Sequence, residues 1–148
     1  MIPERIKRLE YLCQSLPGRF AQFSEDEFCS SPGPGRWSKK QILGHLIDSA
    51  ANNHQRFIRA QFEDVPFIVY DQNKWNEFSY HDKTQTSQLI SFWYFYNMQL
   101  AHLARHIPEE NWKRLCSMGG PDPVSLEFVF DDYVSHLEHH LTQIVAFY

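Results

Sequence analysis

The sequence predicts an all-α fold: one domain over residues 1–148, built as a four-helix bundle with a long crossover between the second and third helices. Three observations lead there. Apolar residues recur at intervals of three and four in four segments, the spacing of a helix face. Three of those segments open at Ser or Pro positions suited to a helix start, and Pro-Gly clusters interrupt the chain before the second and fourth of them. A chain of 148 residues that is 43% hydrophobic and 16% aromatic also carries enough apolar side chain for one packed core.

The first helix is predicted from about Pro3 to Leu16, where Ile6, Leu9, Cys13 and Leu16 form one stripe and Pro17-Gly18 stops it. Ser24 and Glu27 have capping-box spacing, so a short helical turn is expected there. Ser31-Pro32-Gly33-Pro34-Gly35-Arg36-Trp37 reads as a stiff loop ending in a large aromatic. Ser38 and Gln41 make a second capping box, opening a helix to about Gln61 with Ile42, Leu43, Leu46, Ala50 and Phe57 on its apolar stripe.

From Phe62 to Lys83 no periodicity is visible, and the stretch is too long for a tight antiparallel turn. It reads either as a crossover overhanging a site through Tyr70, Asp71 and Trp75, or as a packed surface loop with buried aromatics. The third helix is expected from Thr84 to His106. Its residues Leu89, Phe92, Trp93, Tyr96, Leu100, Leu103 and Ile107 lie within roughly 100° of one another at 100° per residue. Gly119-Gly120-Pro121-Asp122-Pro123 breaks the chain again, and Ser125 caps a fourth helix expected to run almost to Tyr148.

Several function classes are disfavoured. A net charge of −4 speaks against nucleic acid as a partner, since phosphate binding calls for clustered Lys and Arg. The charged start Met1–Arg8 lacks the apolar core of a signal peptide, and no apolar run approaches the ~20 residues of a membrane helix. Cys13, Cys29 and Cys116 form no CxxC pair, which argues against a thiolate zinc site or a disulfide framework and makes a reducing cytoplasm the expected location. There is no Gly-rich phosphate loop, no GxSxG elbow and no HExxH motif.

What stands out is eight histidines. Imidazoles four apart share a helix face and can reach one metal ion, and His102/His106 and His136/His140 have that spacing. On the fourth helix the stripe Leu126, Val129, Phe130, Tyr133, Leu137, Leu141 and Ile144 faces the core, and His140 falls roughly 60° and His136 roughly 100° from its centre. His139 falls nearly opposite it, and His102/His106 read as surface, so His136/His140 is the better pair. On the second helix His45, Asp48, Asn52, Arg56 and Arg59 share one face, which an ordinary solvated surface explains as well as a site does; His54 falls in the apolar stripe and reads as a core histidine bonded to a carbonyl. Asp131 and Asp132 lie one turn before His136. They read as a solvated face, with Asp132 also placed to orient the His136 imidazole.

Trp37-Ser38-Lys39-Lys40-Gln41-Ile42-Leu43-Gly44-His45-Leu46-Ile47-Asp48 resembles the start of the second helix in DinB-like proteins, and Tyr133-Val134-Ser135-His136-Leu137-Glu138-His139-His140 resembles their last helix, with the doubled histidine of the YfiT-like members. The resemblance covers nearly the whole chain. It implies a four-helix bundle with a long connection between helices two and three, and a divalent metal, zinc or nickel, held by His45, His136 and His140. It also implies a homodimer and a small-molecule substrate. Some members of the family are transferases that use a low-molecular-weight thiol such as bacillithiol or mycothiol, and others are classed as metal-dependent hydrolases. The competing expectations are a binding module with a structural metal and a metal-free assembly bundle. For the enzyme, the resemblance and the helix-two face together place Asp48, Asn52 and Arg56 around the site, beside Asp132 and the crossover residues Tyr70, Asp71 and Trp75.

Overall fold

In the computed structural model, which describes residues 1–148, Pro3 sits in the first turn of α1 (Ile2–Ser15). Two short helices follow, α2 (Pro17–Phe20) and α3 (Glu25–Cys29). Ser24 Oγ accepts from Glu27 N, and the Glu27 carboxylate accepts from Ser24 N, so the capping box expected there forms. Ser38 and Gln41 form the same reciprocal pair at the start of α4 (Lys39–Arg59). Next come α5 (Gln72–Ser79), a 3₁₀ turn at His81–Lys83, and α6 (Thr86–His106). A second 3₁₀ turn (Glu109–Lys113) leads into β1 (Leu115–Cys116), which pairs antiparallel with β2 (Val124–Ser125). Ser125 then caps α7 (Leu126–Thr142) by accepting from Phe128 N.

The long helices α1, α4, α6 and α7 form the four-helix bundle. Helix α1 packs on α6 and α7, and α4 also packs on α6 and α7, so the first two long helices occupy opposite corners. Consecutive helices are therefore not neighbours throughout, and the long connections are what make this arrangement possible. Trp93, Tyr133, Phe20, Phe28, Phe57 and Phe130 are fully buried at the centre. The Tyr133 hydroxyl donates to Asn97 Oδ1, and Asn97 Nδ2 donates to the Trp93 carbonyl at 2.9 Å, which pairs the Tyr133 and Asn97 side chains in that otherwise apolar interior, while Trp93 Nε1 is buried without a partner. Arg5–Asp131, Arg8–Glu138 and Arg105–Glu10 ion pairs decorate the bundle seams; as partly exposed pairs they contribute little each.

The crossover differs from the sequence expectation by containing a helix. Asp71 is its N-cap, accepting from Asn73 N and Lys74 N at 3.1 Å each. Its short length and the partly exposed Trp75 and Phe78 erase the periodic signal that marks the longer helices. The last helix ends at Thr142, not near Tyr148, and the expected third helix starts two residues late, at Thr86. No helix is long and apolar enough to cross a membrane.

Helix α4 is buried on both faces: beside its apolar stripe, Lys40, His45, Asp48, Ser49, Asn52, Asn53 and Arg56 are all inaccessible. The crossover covers much of this polar face and is fastened to it. Arg56 donates to the Ile68 carbonyl through Nη2 (2.7 Å) and Nε (3.2 Å), and Asn76 Nδ2 donates to the Gln41 carbonyl at 2.9 Å. Asp48 Oδ1 accepts from His81 Nε2 at 2.9 Å and from Ser79 Oγ at 3.2 Å. Close approach here requires Gly44, because a Cβ at that position would lie 2.3 Å from His81 Cδ2 and 2.9 Å from His81 Cβ.

Gly44→Ala should therefore displace the whole His81 side chain and lower stability by about 1–3 kcal/mol, the usual cost of overpacking. Urea unfolding of the two proteins checks this, and an unchanged midpoint would show that the crossover yields without penalty.

Candidate metal centre

The donor geometry comes from the crossing of α4 and α7. His136 and His140 stand one turn apart on α7, and His45 faces them from α4, so that one ring nitrogen from each lies within 4.8 Å of the others. His45 Nε2 and His136 Nε2 are 3.2 Å apart, and the three rings meet edge to face with centroids 4.5–5.1 Å apart. Two nitrogens bound at ~2.0–2.1 Å to one tetrahedral ion lie roughly 3.3 Å from each other. The His45–His136 pair therefore already has the spacing of two ligands, with a His140 nitrogen within 4.8 Å of both.

Electrostatics point the same way. Burial, reinforced by the nearness of the other two rings, pulls His45 down to about 3, and burial followed by His140 and His139 pulls His136 down to about 4. Burial likewise lowers His140, against the opposing pull of its Gln143 hydrogen bond. All three are thus neutral imidazoles at neutral pH, the protonation state that leaves a lone pair for a metal. His140 Nδ1 donates to Gln143 Oε1 at 2.9 Å, which fixes the tautomer with the lone pair on Nε2. His45 Nδ1 is buried without a hydrogen-bond partner, so packing orients this ring, with Trp37 tilted against it at a centroid distance of 5.0 Å.

A cavity of about 630 Å³ opens beside His140. Its walls are the Ser30–Trp37 loop, the first turn of α4 at Lys39 and Ile42, the first residues of α5 (Gln72 and Asn73), and Gln143. The crossover does form a wall, but through neighbours of the residues singled out in the sequence. Asp71 is engaged in capping α5, and Tyr70 and Trp75 pack against each other edge to face at 5.8 Å; none of the three lines this cavity. Arg56 and Asn52 do not line it either. Arg56 is buried on the Ile68 carbonyl with Tyr70 beside it, and Asn52 Nδ2 donates to the Asp48 carbonyl at 2.9 Å. Asp48 faces His81 and Ser79, and Asp132 is exposed with no hydrogen bond to His136, its charge acting on Arg56 instead. Of the remaining histidines, His102, His106 and His139 are exposed, and His54 pairs through Nδ1 with the Tyr96 hydroxyl at 3.0 Å, not with a carbonyl. Sequence reasoning passed over Gln143, although it lies three residues after His140 and hence on the same face.

A family model of the DinB superfamily matches residues 8–144. The chain belongs to the DinB superfamily. Among its DinB-type relatives is YfiT of Bacillus subtilis (strain 168), 28% identical over 114 residues that make up 74% of this chain and 63% of YfiT, so the aligned stretch spans less than two thirds of that relative. A protein of Oceanobacillus iheyensis is 25% identical over 148 residues, covering 99% of this chain and 85% of the relative. Both carry the provisional name of metal-dependent hydrolase. The solved structure of YfiT, described as an unusual four-helix bundle, superposes with a TM-score of 0.87 at 23% identity, covering 97% of this chain and 83% of YfiT. A mycothiol-dependent maleylpyruvate isomerase superposes at 0.79 with 13% identity over 99% of this chain and 61% of the isomerase. At those identities the likeness establishes the DinB fold.

The lowered histidines make metal-free stability pH-dependent. An unfolded histidine titrates near 6.5, above the folded values of about 3 and about 4 for His45 and His136, so the unfolded chain binds protons more readily in between. This stabilisation is fully present above about pH 6.5 and is lost as pH falls through the folded values. Chelator-treated protein should show a lower urea midpoint at about pH 5 than at about pH 7.5, and His45→Asn should flatten that difference.

Proposed function

We propose that this chain is a divalent-metal enzyme whose ion, zinc or nickel, is held by His45, His136 and His140, and that it transfers a low-molecular-weight thiol to a small electrophile. One observation carries the choice of reaction: the cavity beside His140 is poor in carboxylates. Its only acidic lining residue is Glu27, already engaged in the Ser24 capping box. Water attack commonly draws on a carboxylate base beside the metal, as in HExxH enzymes. A thiol, with a pKa near 8.5, gives up its proton without one. The bound ion would supply Lewis acidity at a vacant coordination position, lowering the pKa of a thiol or water placed there.

This chain's own residues do the rest. The three neutral imidazoles add no charge, so the ion keeps its full positive field, and Gln143 holds His140 in the ligating tautomer. The thiol loses its proton to solvent, its sulfur bonds to the electrophilic carbon, and the leaving group departs with the bonding pair. The chain's own cysteines are poor nucleophiles. Cys13 is buried and pushed up to about 12, Cys116 is buried and raised, and Cys29 is raised by burial and by its bond to Glu25. The thiol therefore arrives with the substrate. Hydrolysis is the second reading, favoured by the provisional names of YfiT and the Oceanobacillus relative. A single domain over 1–148 acting in the cytoplasm as a homodimer belongs to the same reading.

Elemental analysis should find about one divalent transition metal per chain. His45→Ala, His136→Ala and His140→Ala should each lose most of it, while His139→Ala, His102→Ala and His106→Ala keep it; equal loss from the exposed positions would overturn the ligand assignment. Chelation should lower the melting temperature but leave helical circular dichroism, because the aromatic core does not depend on the ion. Turnover of a small thiol with 1-chloro-2,4-dinitrobenzene, lost in His45→Ala, tests the transfer reaction; ester hydrolysis without thiol turnover would move the reading to hydrolysis.

A further inference from the structure

The cavity beside His140 contains one charged group with nothing to bind. Lys39 is committed, its Nζ donating to the Ile144 carbonyl at 2.9 Å and lying 4.9 Å from the Phe23 ring centroid. Glu27 is committed too, its Oε1 accepting from Ser24 N at 3.0 Å. The Arg36 guanidinium, at the same wall, is exposed and makes neither an ion pair nor a hydrogen bond within the chain.

The backbone beneath it is nonetheless fixed. Ser31 Oγ donates to the Arg36 carbonyl at 2.6 Å, Arg36 N donates to the Gly33 carbonyl at 3.2 Å, and Gly35 takes the turn with a φ of 70°, open to glycine at no steric cost. Trp37, the next residue, packs against His45. Arg36 is thus anchored immediately beside the residue that packs against the histidine cluster. The first turn of α4, its N-terminus closed by the Ser38–Gln41 capping box, borders the same space at Lys39 and Ile42. On the opposite side Lys39 also ties down the chain just beyond α7 through the Ile144 carbonyl.

We infer that Arg36 is the specificity-determining residue of this cavity, taking the carboxylate of a substrate whose reacting end lies at the histidines. The inference rests on the proposed metal enzyme for what happens at that reacting end, but the carboxylate subsite stands on Arg36 alone. A guanidinium offers two parallel N–H donors that match the two oxygens of a carboxylate. A phosphate dianion fits less well: Arg36 is the one uncommitted cation, and the Glu27 carboxylate shares the cavity. The volume of about 630 Å³ accommodates a small molecule reaching from the loop to the histidines.

Two arms test this. In cobalt-loaded protein, 6-mercaptohexanoate should bind on the order of tenfold tighter than 6-mercaptohexanol, read from the thiolate-to-cobalt absorption band, as a charge-assisted pair predicts. Arg36→Gln should abolish the preference without changing the alcohol's affinity, and Arg36→Lys should keep part of it. In metal-free protein, the NMR signal of the Arg36 Nε–H should shift on titration with hexanoate more than with hexanol. If the protein takes up no cobalt yet that signal responds to hexanoate, the metal reading fails and the carboxylate subsite stands. If Arg36→Gln retains the wild-type preference, or the Arg36 signal ignores hexanoate, the inference is overturned. A stronger response to inorganic phosphate than to hexanoate would overturn it in favour of a phosphate subsite.

Discussion

Everything about this site depends on one constraint: the polar groups of α4 are buried, and buried polar groups must be paired. A bundle helix ordinarily leaves its polar face in water. Here Arg56, Asp48 and the backbone carbonyl of Gln41 instead find partners in the segment between α4 and α6, through Ile68, His81, Ser79 and Asn76. That network decides the path of the crossover. It holds the start of α5 over the end of the bundle where the histidines meet, and Gly44 lets the segment come close enough for His81 to reach Asp48.

The histidine cluster is the reverse case. Three imidazoles are desolvated together, and His45 Nδ1 has no partner at all. Such an arrangement costs stability as it stands, which is why the rings give up their protons so readily. A group of neutral donors held close against their own preference is poised for a cation. The cost is tolerable because the aromatic interior around Trp93, Phe57 and Tyr133 does not involve these rings.

Much of this was legible in the sequence. Capping boxes at Ser24 and Ser38, the Ser125 cap and the apolar stripes located the bundle helices to within a few residues, because those signals are local. The helical wheel of α7 placed His136 and His140 at the margin of the core and His139 outside it, as the structure does. What remained hidden was non-local. The polar face of α4 carries the same pattern as a solvated surface, and nothing short of tertiary structure shows that a crossover lies on it. For the same reason Arg56 and Tyr70 looked like pocket residues but fasten the chain, while Arg36, which does line the cavity from a loop, gave no periodic signal.

The loop walls of the cavity and the histidine cluster beside it belong to different parts of the architecture. His45, His136 and His140 project from helices of the bundle, whereas Arg36, Gln72 and Asn73 lie on connections outside it, where a side chain can be exchanged without repacking the interior. Substitution in the connections can thus reshape part of the cavity wall while the bundle keeps the histidine cluster in place. Such separation makes this scaffold readily diversified: the lining can change by drift in two short segments, with folding stability left nearly untouched.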